Sequence, residues 1–101
     1  MYRGANGEAL FEIWVLGLKD LKARARILAR LDQVEEGNLG VSRTVGEGVV
    51  ELVIDFGPGY RVYIGQHGLT LVVILGGGDK STQGKDIKNA KMHWNAWKGK
   101  G

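Results

Sequence analysis

Two short stretches of this 101-residue chain carry side chains suited to phosphate chemistry. Residues 55–63 read DFGPGYRVY and set Arg61 just after a Gly-Pro-Gly punctuation. Residues 76–86 read GGGDKSTQGKD and set Lys80, Gln83 and Lys85 just after a glycine run, with Asp86 beside them. A guanidinium fork matches two oxygens of a phosphodiester. The first N–H groups of a helix favour an anion. The second stretch has the composition of a phosphate loop but misses G-x-x-x-x-G-K-[ST], because Asp79 stands where the glycine before the lysine belongs. A nucleotide hydrolase is therefore weakly supported. Each stretch also has a plain alternative. Asp55 and Arg61 could form only a cross-strand ion pair worth well under ~1 kcal/mol, and GGGDKSTQGKD could be a glycine-rich connection with a solvated lysine.

Other chemistries find little to build on. With no cysteine, disulfides and thiolate metal sites are excluded. His67 falls in a turn and His93 on the last helix, without metal-ligand spacing, so no metal or cofactor is expected. G-x-S-x-G, H-E-x-x-H and calcium-loop patterns are missing. Trp14, Trp94 and Trp97 read as anchors of a core or a partner interface.

The elements that must position these residues follow from periodicity. Asn6 is placed to cap a helix over residues 8–18, with Phe11, Trp14, Val15 and Leu18 at helical spacing. A second helix is expected from residue 19 or 20 to about 36, carrying Leu21, Ala25, Ile27, Leu28, Leu31 and Val34 as its apolar stripe. Lys22, Arg26 and Arg30 recur every four residues, giving either a solvated ridge or an RNA-facing one. The period then changes to two. Strands are expected at 41–45, 49–56, 60–64 and 69–75, the last an apolar run suiting a central strand, with Gly76–78 breaking it. A final helix is expected over 82–97. The order predicts one α+β domain spanning residues 1–101: two N-terminal helices packed on a twisted antiparallel sheet of about four strands, then a C-terminal helix.

Hairpin parity decides where Arg61 points. Facing residues of an antiparallel pair share one side of the sheet. A two-residue loop, Gly57-Pro58, would set Arg61 opposite Ile54 on the apolar face. A three-residue loop, Gly57-Pro58-Gly59, pairs Phe56 with Tyr60 and Ile54 with Val62. The odd loop keeps the core apolar and turns Arg61 and Tyr63 outward with Glu51, Val53 and Asp55.

The formal charge is +3, mildly basic, and unevenly spread. Residues 19–30 carry a net of +4, residues 31–56 a net of −5 and residues 79–101 a net of +4. That balance is compatible with a nucleic-acid partner. The apolar run at residues 9–18 is too short to cross a membrane and reads as no signal peptide, so a cytoplasmic location is expected.

Taken together, residues 54–63 (IDFGPGYRVY) and 77–83 (GGDKSTQ), with Trp14, Leu18-Lys19-Asp20, Ala23-Arg24-Ala25-Arg26-Ile27, Gly37-Asn38-Leu39-Gly40 and Asp86-Ile87, resemble the RelE/ParE toxin superfamily over about residues 10–95. Within it they are most similar to the phage-type addiction-module killer proteins. The resemblance implies a type II toxin held inactive in a hetero-oligomer by a cognate helix-turn-helix antitoxin. It implies a metal-independent endoribonuclease that cuts mRNA, often on the ribosome, or, in the ParE branch, an inhibitor of DNA gyrase with no nuclease site. It also implies roles: Arg61 and Lys80 neutralising the scissile phosphate, Lys85 or Asp86 in proton transfer or positioning, and Tyr63 stacking on a base. Gln83, Lys22, Arg26 and Arg30 would add RNA contacts.

Overall fold

The computed structural model describes residues 6–67 and 71–99. Helix α1 (Asn6–Leu16) and helix α2 (Leu21–Glu35) precede four strands, β1 (Ser42–Gly46), β2 (Val49–Ile54), β3 (Tyr60–His67) and β4 (Leu71–Asp79). A single 3-10 turn, Lys80–Thr82, leads into α3 (Gln83–Gly99). The strands form one antiparallel sheet in chain order, β1-β2-β3-β4. This is the expected α+β arrangement. The expected turn at residues 66–68 lies partly outside the described residues, and β3 continues to His67.

Helix α2 starts where Asp20, in extended backbone, accepts the N–H groups of Lys22 and Ala23 at 2.9 and 3.2 Å. It buries Ala23, Ile27, Leu31 and Val34. The apolar stripe is thus rotated from the expected one: Leu21 and Leu28 face outward. Arg24 ties the two helices together by donating from Nη2 to the carbonyls of Leu16 and Leu18.

Both faces of the sheet are covered, which follows from the alternation along each strand. On one face Val50, Leu52, Ile54, Tyr60, Val62, Ile64 and Ile74 pack with Phe11, Val15, Ile27 and Leu31 of α1 and α2. The opposite side chains, Val49, Tyr63, Val73 and Leu75, pack with Ala90 and Trp94 of α3. The side of the hairpin that periodicity assigned to solvent is therefore a second core.

Two glycine groups let the helices come close. A Cβ on Gly65 would lie 2.3 Å from Trp94 Cε3, so the bare backbone makes the slot that the indole fills. The run Gly76–78 does not break β4; it continues the strand opposite Tyr63, Val62 and Arg61. A Cβ on Gly77 would meet Trp14 at 2.5 Å, and one on Gly78 would meet the Asp86 carboxylate at 2.0 Å. Helices pressing from both faces explain the glycines better than a chain break does. A bulge sits at Leu75, between the Tyr63–Gly76 and Ile64–Ile74 pairs, where Gly76 takes φ +152°. β4 is an edge strand rather than a central one; its Ile74 is covered on one face and its Val73 and Leu75 on the other.

Candidate functional site

The β2–β3 hairpin keeps the expected parity but not the expected register. Ile54 pairs with Tyr60 and Val53 with Arg61, so the connection spans Asp55 to Gly59, two residues longer than the short loop requires. Phe56 leaves the ladder because its carbonyl accepts the Gly59 N–H at 3.1 Å, closing the turn. Arg61 consequently faces Glu51, with Nε 3.8 Å from Oε1, rather than Asp55.

Glu51 is the centre of this face and is fully buried. Its Oε1 accepts from Arg43 Nε at 2.6 Å, and its Oε2 accepts from the Tyr63 hydroxyl at 3.0 Å and Gln83 Nε2 at 2.9 Å. Burial alone would raise the pKa of this carboxyl. The hydrogen bonds from Gln83, Arg43 and Tyr63 outweigh that and hold it below its ordinary value, so it stays ionised. Burial, reinforced by the charges of Glu51 and Asp86, pushes the Tyr63 phenol well above its ordinary range and keeps it protonated.

Arg61 is almost wholly enclosed. Its Nη1 donates to the Tyr60 carbonyl at 3.1 Å, while Nε is buried without a hydrogen bond. Lys80 approaches from the end of β4. Its backbone N–H donates to the Gly59 carbonyl at 3.0 Å, and its side chain is exposed. Lys80 Cδ and Arg61 Nη1 lie 3.6 and 3.7 Å from where a Cβ of Gly59 would stand, so the aliphatic stem of Lys80 and the Arg61 guanidinium flank one turn glycine. Asp79 fixes the following turn by accepting the Ser81 hydroxyl and N–H. These bonds hold its carboxyl below the usual range. Asp86, at the start of α3, accepts the Thr82 hydroxyl at 2.5 Å and lies against Gly78.

The sequence-predicted residues thus divide. Arg61, Lys80, Gln83 and Asp86 gather around the β3–β4 end beneath the start of α3, and Lys85 stands exposed on that helix. Tyr63 joins them but is buried against α3 and bonded to Glu51, so it presents no ring for a base to stack on. Arg30 is corrected more sharply. Its guanidinium donates to the carbonyls of Leu39 at 3.1 and 2.8 Å, Val53 at 2.7 Å and Val41, clamping the α2–β1 connection onto β2. Burial lowers its pKa, and no part of its fork is arranged for phosphate. Lys22 stays exposed, and Arg26 lies over the Phe56 ring at 4.7 Å. Phe56 packs with the α1–α2 core, so this ridge belongs to the face opposite Arg61.

Periodicity missed Glu51 as a site residue because alternation alone put it in solvent. The signal that could have found it is the matching alternation of Val49, Tyr63, Val73 and Leu75, which is too apolar for a wet face. Among the described residues no three His, Asp or Glu side chains could hold a metal ion, and no helix is long and apolar enough to cross a membrane.

Among known proteins, the chain is 50% identical over 82 residues to an uncharacterized protein of Haemophilus influenzae strain Rd, covering 81% of this chain and 83% of that one. No family model matches it. No solved structure matches it.

Proposed function

The chain belongs to the family of the uncharacterized Haemophilus influenzae protein, and we propose that it is a cytoplasmic type II toxin that cleaves the RNA backbone. The observation that carries the reading is the approach of Arg61 Nη1 and the Lys80 side chain to the same turn glycine, Gly59. A guanidinium held at the loop and an exposed lysine whose stem starts from the same turn suit the non-bridging oxygens of a phosphodiester, where charge builds as the reaction proceeds. The 2′-oxygen attacks phosphorus, the P–O5′ bond breaks, and a 2′,3′-cyclic phosphate and a 5′-hydroxyl end result. Arg61 and Lys80 neutralise the pentacoordinate phosphorus. Asp86, oriented by Thr82, accepts the 2′-hydroxyl proton, and water supplies the proton to the leaving 5′-oxygen. Metal plays no part in this scheme.

A cognate helix-turn-helix antitoxin completes the module. Leu10, Ile13 and Leu16 of α1 and Leu21 of α2 are exposed and give such a partner an apolar surface. The test is expression in cells of the wild-type chain and of Arg61→Ala, with transcript ends mapped and plasmid supercoiling followed. Growth arrest with new mRNA ends, both lost in folded Arg61→Ala, is the expected result. Arrest with lost supercoiling and intact mRNA would replace this reading with gyrase inhibition.

A further inference from the structure

We propose that Glu51 is the positioning residue of the Arg61–Lys80 site: its buried carboxylate sets where the Arg61 guanidinium stands while touching no substrate itself. The inference rests on the phosphodiester reading above and adds to it a residue from outside the cation pair.

The geometry separates two ways a carboxylate can hold an arginine. A bidentate pair would take two of the five guanidinium N–H groups, one edge of the fork, away from any ligand. Here the closest approach is Nε to Oε1 at 3.8 Å, beyond hydrogen-bond reach, and Nε has no other acceptor. Glu51 is fully buried and Arg61 nearly so, so little water stands to screen the opposite charges across this gap. The guanidinium is therefore drawn inward and oriented without being consumed. Glu51 in turn does not need Arg61 for its own hydrogen bonding. Arg43, Tyr63 and Gln83, from β1, β3 and α3, already donate to its two oxygens. A carboxylate so supplied is rigid, and its rigidity passes to the one neighbour it holds through space.

A merely structural Glu51 would tie β1, β2, β3 and α3 together and nothing more. The two roles separate in a cycle of wild type, Glu51→Gln, Arg61→Ala and the double variant. The readouts are RNA cleavage under single- and multiple-turnover conditions, thermal unfolding, and exchange of the Arg61 Nε proton by NMR. Displacing a catalytic group by about 1 Å can cost on the order of 100-fold in rate. Glu51→Gln is accordingly expected to lower kcat by about 10- to 100-fold with a smaller change in KM. In the Arg61→Ala background the same substitution should cause no further loss. Arg61 Nε proton exchange should quicken in Glu51→Gln. Wild-type cleavage by folded Glu51→Gln, or a loss that adds fully to that of Arg61→Ala, would overturn the proposal. Should Glu51→Gln fail to fold, Glu51→Asp keeps the charge but withdraws it from Arg61. Reduced kcat with quickened Nε exchange supports the proposal, and full activity overturns it. If the wild-type protein cleaves no RNA, the nuclease reading falls. The Nε exchange in Glu51→Gln or Glu51→Asp then decides the Glu51 claim by itself, and unchanged exchange refutes it.

Discussion

Replacing Arg30 with methionine keeps the aliphatic stem and removes the guanidinium that holds three backbone carbonyls. Val41 O would still accept the Val53 N–H at 2.9 Å, so it is not orphaned. Leu39 O and Val53 O lose charged donors, each bond contributing about 1.5–3 kcal/mol where water cannot substitute. Arg30 is half-exposed, and water recovers part of that loss. The net cost is then about 2–4 kcal/mol, or roughly 10–25 °C in Tm for a domain of this size. Circular dichroism melts of Arg30→Met and of its ridge neighbours provide the check. Lys22→Ala should stay within about 0.5 kcal/mol of wild type, and Arg26→Ala should lose about 0.5–1 kcal/mol with its contact to Phe56. RNA binding measured against salt supplies the second half. On a single strand, a phosphate-contacting cation reduces the slope of log K on log salt by about 0.7 on removal, and Arg30→Met should leave the slope unchanged. A variant that melts like wild type yet loses about 0.7 of slope would refute the clamp and restore Arg30 to the RNA surface.

Other substitutions probe the second core and its buried carboxylate. Gly65→Ala forces a Cβ to within 2.3 Å of the Trp94 ring and should cost about 1–3 kcal/mol or more in a urea melt. Tyr63→Phe removes one donor from an ionised, buried acceptor and should cost about 1.5–3 kcal/mol. Stability should also depend on acid. The folded Glu51 pKa lies below its ordinary 4.5, so the folded state binds its proton less readily than the unfolded chain does. Its contribution is complete above about pH 4.5 and is lost as pH falls through the lower, folded value. Asp79 acts in the same sense below its ordinary 3.8. Melts from pH 7 to pH 3 should show falling Tm in wild type and a flatter dependence in Glu51→Gln.

Elements and parity were readable from the chain, whereas cover was not. The period of two placed Arg61 and Tyr63 on one side of the sheet and Tyr60 and Val62 on the other, as observed. Two details of the hairpin escaped, one in the turn and one in the face it presents. Phe56 packs beside the α1–α2 core instead of extending the ladder, which lengthens the loop. Arg61 meets Glu51 because the register pairs it with Val53 instead of Asp55, and Gln83 of α3 reaches down to Glu51 Oε2. Glycines read as a strand break at 76–78 prove to be strand residues, since only a bare backbone admits Trp14 on one face and Asp86 on the other. Arg30 looked equivalent to Lys22 and Arg26 by spacing. Its different role comes from the carbonyls of Leu39, Val41 and Val53, which no helical period reports.

The central claim is that Arg61 and Lys80 form a phosphodiester-cleaving site. Its most direct measurement is incubation of the purified protein with end-labelled single-stranded RNA in excess chelator, followed by analysis of the product ends. Wild type should form 5′ fragments ending in 2′,3′-cyclic phosphate, and folded Arg61→Ala should lose them by about 100-fold or more. Undiminished cleavage by Arg61→Ala, or no cleavage by wild type on either RNA or ribosome-bound message, would contradict it.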